Sequence, residues 1–175
     1  MSDQQPVPVP MTAEETAAFA EEVFERARRG DAAMLGRLLE SGLPVDLRNH
    51  KGDTLLMLAC YHGHHEAVQV LLGHGADPLI ANDNGQLPIA GAAFKGDLAM
   101  IRLLLEQGVP VDAAAADGRT ALMLAAMFNR LEIIDYLLAQ GADPTHRDAA
   151  GSTALMAART MGATDAAARL EALAG

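Results

Sequence analysis

Apolar residues along the chain form short clusters with two kinds of spacing. The run LLMLA at residues 55–59 is continuous and contains alanine, so it predicts a short buried helix rather than a surface strand. Val68, Leu71 and Leu72 follow with the spacing of an amphipathic helix. Polar stretches such as IANDNGQ at residues 80–86 separate these clusters and have the composition of a turn. The pattern predicts two helices followed by a turn.

This pattern recurs at an interval of 33 residues, which indicates a repeat protein. A turn glycine comes before the first apolar cluster of each block, a leucine lies within the second cluster, and a further glycine follows it. The recurring residues are Gly52, Gly85, Gly118 and Gly151; Leu38, Leu71, Leu104, Leu137 and Leu170; and Gly42, Gly75, Gly108 and Gly141.

The ends of the helices can also be predicted. A glycine, Gly75 or Gly141, ends the second helix as a C-cap, and the Asp-Pro that follows prevents its continuation. A threonine before the first cluster is a natural N-cap in three blocks, at Thr54, Thr120 and Thr153.

The N-terminal part of the chain has its own helix signals. The sequence MTAEE predicts a capping box between Thr12 and Glu15. The helix that it opens is predicted to run to about Arg29, and Gly30-Asp31 starts a second helix.

A turn and two helices at this period, with G-x-T-x-L-x-x-A and V-x-x-L-L-x-x-G-A-D, resemble the ankyrin repeat family over roughly residues 30–170. The resemblance implies an all-α ankyrin-repeat solenoid of about five helix-turn-helix pairs with short hairpin-like turns. We expect residues 1–10 to be a flexible N-terminus and residues 11–175 to form a single domain. Its units are an N-terminal capping unit at 11–49, repeats at 50–82, 83–115 and 116–148, and a C-terminal capping unit at 149–175.

The second repeat departs most from the family pattern. Leu87 replaces the capping threonine, and Gly91 replaces a core leucine. Glycine inside a helix costs about 0.5–1 kcal/mol relative to alanine. We therefore predict that LPIAGAAF, residues 87–94, is the least stable of the first helices.

Composition and charge narrow the function classes. The chain has 175 residues, half of them apolar, and a formal net charge of −10, which argues against binding to nucleic acid or anionic membranes. Cys60 is the only cysteine, and no apolar run reaches the length of a membrane span. The N-terminus does not have the pattern of a signal peptide. We expect a cytoplasmic protein, and the excess of arginine over lysine suggests a bacterial source.

The segment ACYHGHHEAV, residues 59–68, raises an alternative hypothesis about function. A metal or cofactor handling protein could use the histidine cluster at 62–65, namely His62, His64 and His65, together with Cys60 or Met57. Gly63 redirects the chain between the histidines, and the sequence offers no second pair of ligands that would complete a zinc site. We therefore favour the interpretation that these residues form a structural turn of the repeat. Phosphate loops, GxSxG and HExxH motifs are absent from the sequence. We predict a non-catalytic protein with no metal and no cofactor.

The candidate site consists of positions that vary while the repeat frame stays constant. In ankyrin repeats the turn tips and first helices line a concave face, so the resemblance implies a groove that binds another protein. Large side chains at helix ends are favoured interface anchors. We expect a monomer, rather than a protein that self-assembles through its ends, and a neutral or basic partner rather than an acidic one, because the chain is acidic. The predicted partner-binding residues are Tyr61, His62, Phe94, Lys95, Met127 and Phe128 at helix ends, and His50, Lys51, Asp53, Asp83, Asn84, Gln86, Asp117 and Arg119 at turn tips.

Overall fold

The computed structural model describes residues 10–173, and this part of the chain contains ten α-helices and no strand. The predicted flexible segment at residues 1–10 therefore lies outside the described residues except for Pro10. The helices are α1 (Ala13–Arg29), α2 (Ala32–Glu40), α3 (Leu55–Tyr61), α4 (His65–Gly73), α5 (Pro88–Lys95), α6 (Leu98–Glu106), α7 (Ala121–Met127), α8 (Leu131–Ala139), α9 (Ala154–Thr160) and α10 (Thr164–Glu171).

The helices form five antiparallel pairs that stack into an all-α solenoid, as the sequence predicts. The first helices α1, α3, α5, α7 and α9 each pack on the next, while the second helices form the outer layer. Fully buried side chains from both layers meet between them, and repeating leucine and isoleucine positions supply most of this core. Leu71, Leu104 and Leu137 all have 0% exposure, which explains the 33-residue leucine interval.

The predicted helix starts are confirmed at the threonine positions. Thr54 and Thr120 are buried, and their hydroxyls accept hydrogen bonds from the backbone N–H of Met57 at 3.1 Å and Met123 at 3.3 Å. Thr12 and Glu15 form the predicted capping box, and α1 ends at Arg29. In α5 the N-cap residue is Leu87, which makes no side-chain hydrogen bond to the helix.

The ends of the second helices differ slightly from prediction. Helices α4 and α8 end at Gly73 and Ala139, so Gly75 and Gly141 lie one residue beyond the C-cap rather than on it. Both glycines have positive φ angles, of 86° and 91°, which is the left-handed conformation that closes a helix end.

Hairpin-like turns project from the edge of the stack where the first helices begin. We call residues 48–54, 81–87, 114–120 and 147–153 the first, second, third and fourth tips. In the second tip, Asn82 accepts hydrogen bonds from the backbone N–H of Asn84 and Gln86, which fixes the turn. None of the helices within residues 10–173 is long and apolar enough to span a membrane.

Candidate partner-binding groove

A groove of about 560 Å³ crosses helices α3, α5 and α7 on the side of the first helices. The first three tips form one margin, and the C-terminal ends of these helices form the other. Its lining residues are Arg28, Asn49, His50, Lys51, Asp53, Met57, Leu58, Tyr61, His62, Asn82, Asn84, Gln86, Leu87, Ala90, Gly91, Phe94, Arg119, Leu124, Met127 and Phe128.

The second repeat lines the floor of the groove with very small residues. Ala90 and Gly91 stand where the third repeat has Met123 and Leu124, so α5 presents almost no side chain to the groove at this point. A Cβ atom added at Gly91 would lie 3.6 Å from Cδ2 of Tyr61, an ordinary van der Waals contact. The missing side chain therefore creates space without any steric need for glycine.

Three aromatic rings form a continuous row along the margin of helix ends. The rings of Tyr61 and Phe94 are nearly parallel with centroids 6.3 Å apart, and those of Phe94 and Phe128 meet edge to face at 4.8 Å. Tyr61 and Phe94 remain 39% and 37% exposed. Met127 holds the position equivalent to Tyr61 and Phe94 in the 33-residue repeat and also lines the groove, but the ring of the next residue, Phe128, makes the contact that continues the row.

The opposite margin is polar and comes from the tips. His50, Lys51 and Arg119 line it with Asn84 and Gln86 between them. Asp53 also lines the groove, but both of its carboxylate oxygens accept hydrogen bonds from side-chain amides, at 2.8 Å from Asn82 and 3.3 Å from Asn49. This carboxylate is therefore already engaged in holding the first and second tips together.

Three of the predicted binding residues do not line the groove. Asp83 faces Arg48 at 3.4 Å, and Asp117 accepts a hydrogen bond from the backbone N–H of Arg119 at 3.0 Å. Both aspartates therefore serve the structure of the tips. Lys95 lies just outside, with its ammonium 4.3 Å from the centroid of the Tyr61 ring.

Comparison with known proteins identifies the family. A family model described as "Ankyrin repeats (3 copies)" matches residues 24–117, 56–148 and 91–172, which together cover well over half of the chain. The chain belongs to the ankyrin repeat family. Ankyrin repeats are generally modules for protein–protein interaction.

Similar ankyrin repeat proteins occur in bacteria and animals. A putative ankyrin repeat protein of Pseudomonas aeruginosa is 55% identical over 56 residues, which is 32% of this chain and 33% of that protein. Ankyrin repeat domain-containing protein 29 is 44% identical over 68 residues in Homo sapiens and 43% identical over 68 residues in Danio rerio, in each case 38% of this chain and 23% of the relative. The chain thus spans a third or less of the length of these relatives.

The histidines of this ankyrin repeat protein have separate structural partners. Nε2 of His64 lies 2.8 Å from the backbone carbonyl of Arg28, in the preceding unit, and Nε2 of His65 lies 3.1 Å from a carboxylate oxygen of Asp97, in the following one. His62 packs edge to face against Tyr61 with ring centroids 5.3 Å apart. No group of three potential metal ligands occurs among residues 10–173. The His62 and His64 rings stack with centroids 6.3 Å apart, but the Nε2 atoms of His64 and His65 are directed at different units rather than at a shared centre.

Cys60 occupies a core position between adjacent first helices. Its side chain is 1% exposed, and burial raises the pKa of its thiol far above the ordinary value. A thiol that stays protonated and inaccessible does not act as a nucleophile or as a metal ligand.

Several residues of the groove were missed by sequence reasoning. Arg28 belongs to the N-terminal unit, where the repeat pattern is irregular and gives no register. The sequence pattern predicts only that Gly91 weakens a helix and does not single out Ala90, although the small size of both was the available signal for a cavity. The other residues missed are Asn49, Met57, Leu58, Asn82, Leu87 and Leu124.

Proposed function

We propose that this ankyrin repeat protein is a non-catalytic scaffold or interaction module that binds a segment of a partner protein in the groove. The single observation that carries the proposal is a row of three aromatic rings, with Tyr61 and Phe94 exposed, beside a cavity of about 560 Å³. Ankyrin repeats require helices that stack, but stacking does not require large apolar side chains at exposed helix ends.

The physical support comes from the usual properties of protein interfaces. Aromatic residues and methionine are enriched in the buried centres of interfaces, and polar residues surround them. In the groove, Tyr61, Phe94 and Phe128 provide such a centre, and the polar tips provide a rim. A partner side chain that entered the space above Gly91 would contact rings that are already ordered by one another, which limits the entropy lost on binding.

The alternative of a metal or cofactor handling protein finds less support. His64 and His65 are engaged with Arg28 and Asp97, which hold the unit to its two neighbours. Recruiting both imidazoles to one metal would break contacts that stabilise the stack.

A pull-down from an extract of the source organism tests the proposal. The bait is the whole chain, either unchanged or carrying Tyr61→Ala, Phe94→Ala and Phe128→Ala together. We expect recovery of the partner to fall about tenfold or more, because truncating aromatic hot spots typically removes over 2 kcal/mol each.

A matched control uses three other exposed apolar residues that lie outside the groove, as Phe19→Ala, Leu79→Ala and Met161→Ala in one chain. Circular dichroism verifies that both triple variants are folded. Retention of every partner by the folded groove variant would show that binding occurs on another surface.

Further properties are proposed from the sequence. We propose a monomer in the bacterial cytoplasm, and the net charge of −10 disfavours binding to nucleic acid and to anionic membranes. At long range, before the two proteins touch, this net charge favours a partner protein that is neutral or basic as a whole.

A further inference from the structure

The charge inside the groove has the opposite sign to that of the whole chain. Lys51, Arg119 and Arg28 line the groove, and Lys95 lies at its edge, while Asp53 is the only carboxylate among the described lining residues. The chain as a whole carries −10. At physiological salt, exposed charges are screened beyond about 8 Å, so a bound segment responds mainly to the lining rather than to the net charge.

Two of these cations are available to a partner. Among residues 10–173, no carboxylate lies within ion-pair distance of Lys51. Arg119 is half exposed and forms two long ion pairs through Nε, at 4.0 Å to Asp117 and 3.9 Å to Asp148. Within residues 10–173 its guanidinium makes no hydrogen bond, so its N–H donors remain available to a closer carboxylate. Arg28, in contrast, is bonded to Glu21 at 2.9 Å, so it adds little.

The positions of Lys51 and Arg119 imply a spacing for the partner's acidic residues. They lie on the first and third tips, two repeats apart, and packed helices have axes 8–10 Å apart, which gives roughly 16–20 Å between the cations. An extended chain advances about 3.3–3.6 Å per residue, so about five or six residues span this distance. The second tip contributes only the uncharged Asn84 and Gln86 to the lining between them.

The space above Ala90 and Gly91 lies between the cationic margin and the aromatic row. It is bordered by Tyr61 and Phe94, which leaves an apolar recess at the middle of the groove. A single apolar side chain fits this environment better than a charged one, because burying an unpaired charge is costly.

We propose that the groove binds an extended acidic segment of the partner protein, with carboxylates at Lys51 and Arg119 and an apolar anchor above Gly91. This inference rests on the proposed function, since it names the partner for the same groove. The net charge alone predicts a neutral or basic partner, whereas this inference predicts an acidic segment, because short-range contacts depend on the local charges.

Selection from a displayed library of random peptides of about 12 residues, long enough to span the groove, tests the inference. The full-length chain is the target, alongside the variant Lys51→Glu/Arg119→Glu. The control variant Arg37→Glu/Arg102→Glu makes the same change in net charge on exposed arginines of the outer helices α2 and α6. We expect the wild type and the control to enrich peptides with paired acidic residues and an apolar residue between them.

Binding of one enriched peptide then measures the effect of each change. Reversal of the two cations should weaken the peptide about tenfold at low ionic strength, and the difference should shrink at high ionic strength. Exchange of the peptide's glutamates for glutamines should give a similar loss. Gly91→Leu should abolish binding while the protein stays folded, since leucine is the residue of the neighbouring repeats at this position.

The outcomes separate this inference from the proposed function. Enrichment of basic or uncharged peptides that still requires Tyr61, Phe94 and Phe128 would overturn the acidic segment and leave the groove as the binding site. Absence of any enrichment that depends on these three rings would overturn both.

Discussion

The second and third repeats share one core but differ on the side that faces the groove. Ile89 and Leu122, at equivalent positions, are 1% and 0% exposed, so the inner face of both first helices is equally buried. Elsewhere on the helix, Thr120 caps α7 whereas Leu87 leaves α5 uncapped, and Ala90-Gly91 replaces Met123-Leu124. The two first helices therefore bury the same inner position but differ at the N-cap and at two positions of the first turns.

The tips show the same contrast. The backbone N–H of Asp83 in the second tip donates a hydrogen bond to the carbonyl of Lys51 in the first tip. In the same way, the backbone N–H of Ala149 in the fourth tip donates to the carbonyl of Asp117 in the third tip. Within the part of the chain that the structure describes, no hydrogen bond joins the second tip to the third. The junction without a tip-to-tip hydrogen bond is thus the one between the second and third tips, both of which line the groove. Binding sites are commonly built at some cost in stability.

Core truncation provides the largest expected effect and tests whether the two repeats share one core. Ile89→Ala and Leu122→Ala should each lower the free energy of unfolding by about 2–5 kcal/mol, because both leave a cavity in a closely packed interior. Urea unfolding of the two variants provides the measurement. A cost for Ile89→Ala below 1 kcal/mol would mean that the whole second repeat, and not only its groove face, is loosely packed.

Glycine substitutions at the tips compare the two junctions. Both Gly52 and Gly85 have positive φ, so alanine at either costs about 1–2 kcal/mol. At Gly52 a Cβ would also lie 2.8 Å from the backbone nitrogen of Asp83, whereas at Gly85 it meets no atom within 4 Å. Gly52→Ala should therefore lower the melting temperature more than Gly85→Ala, and equal shifts would contradict a tighter first junction.

Removal of a helix cap reproduces in the third repeat one defect of the second. Thr120→Ala deletes the hydroxyl that accepts the N–H of Met123, and a loss of about 1 kcal/mol is expected. Thr54→Ala should cost about the same, because its hydroxyl makes the equivalent bond. Chemical denaturation of both variants verifies the equivalence, and no loss in either would show that these caps do not distinguish the repeats.

Much of this fold can be predicted from the sequence because its determinants are local and periodic. The interval of 33 residues fixes the helix pairs, and threonines such as Thr54 fix where they begin. The groove is harder to predict, since it depends on relations between repeats. Phe128 rather than Met127 continues the aromatic row because of side-chain directions that sequence register does not specify. The charge of the groove depends on which carboxylates are already engaged, as Asp53 and Asp83 are.

Restoring a side chain at Gly91 tests the weakest part of the second repeat. Gly91→Ala should stabilise the protein by about 0.5–1 kcal/mol, because alanine favours the helix and its Cβ meets Tyr61 at an acceptable distance. Hydrogen exchange should show α5 as the least protected first helix in the wild type and better protected in the variant. If α5 were instead the best protected helix, the idea that it is the weak element would be wrong.

The smallest expected effect concerns the coupling of His62, in the first repeat, to its neighbours. Burial, followed by the positive charges of His64, Lys95 and Arg28, lowers the pKa of His62 below its ordinary value of 6.5. The unfolded chain therefore takes up this proton more readily, so stability is lost as the pH falls below 6.5 and is fully present above it. The wild type should lose more stability than His62→Gln between about pH 7.5 and about pH 5.5, as measured by urea unfolding.

In a histidine NMR titration, Lys95→Gln should raise the pKa of His62, because it removes a cation of the second repeat that acts across the junction. An unchanged titration would show that the second repeat exerts no electrostatic influence on the first at this end of the groove.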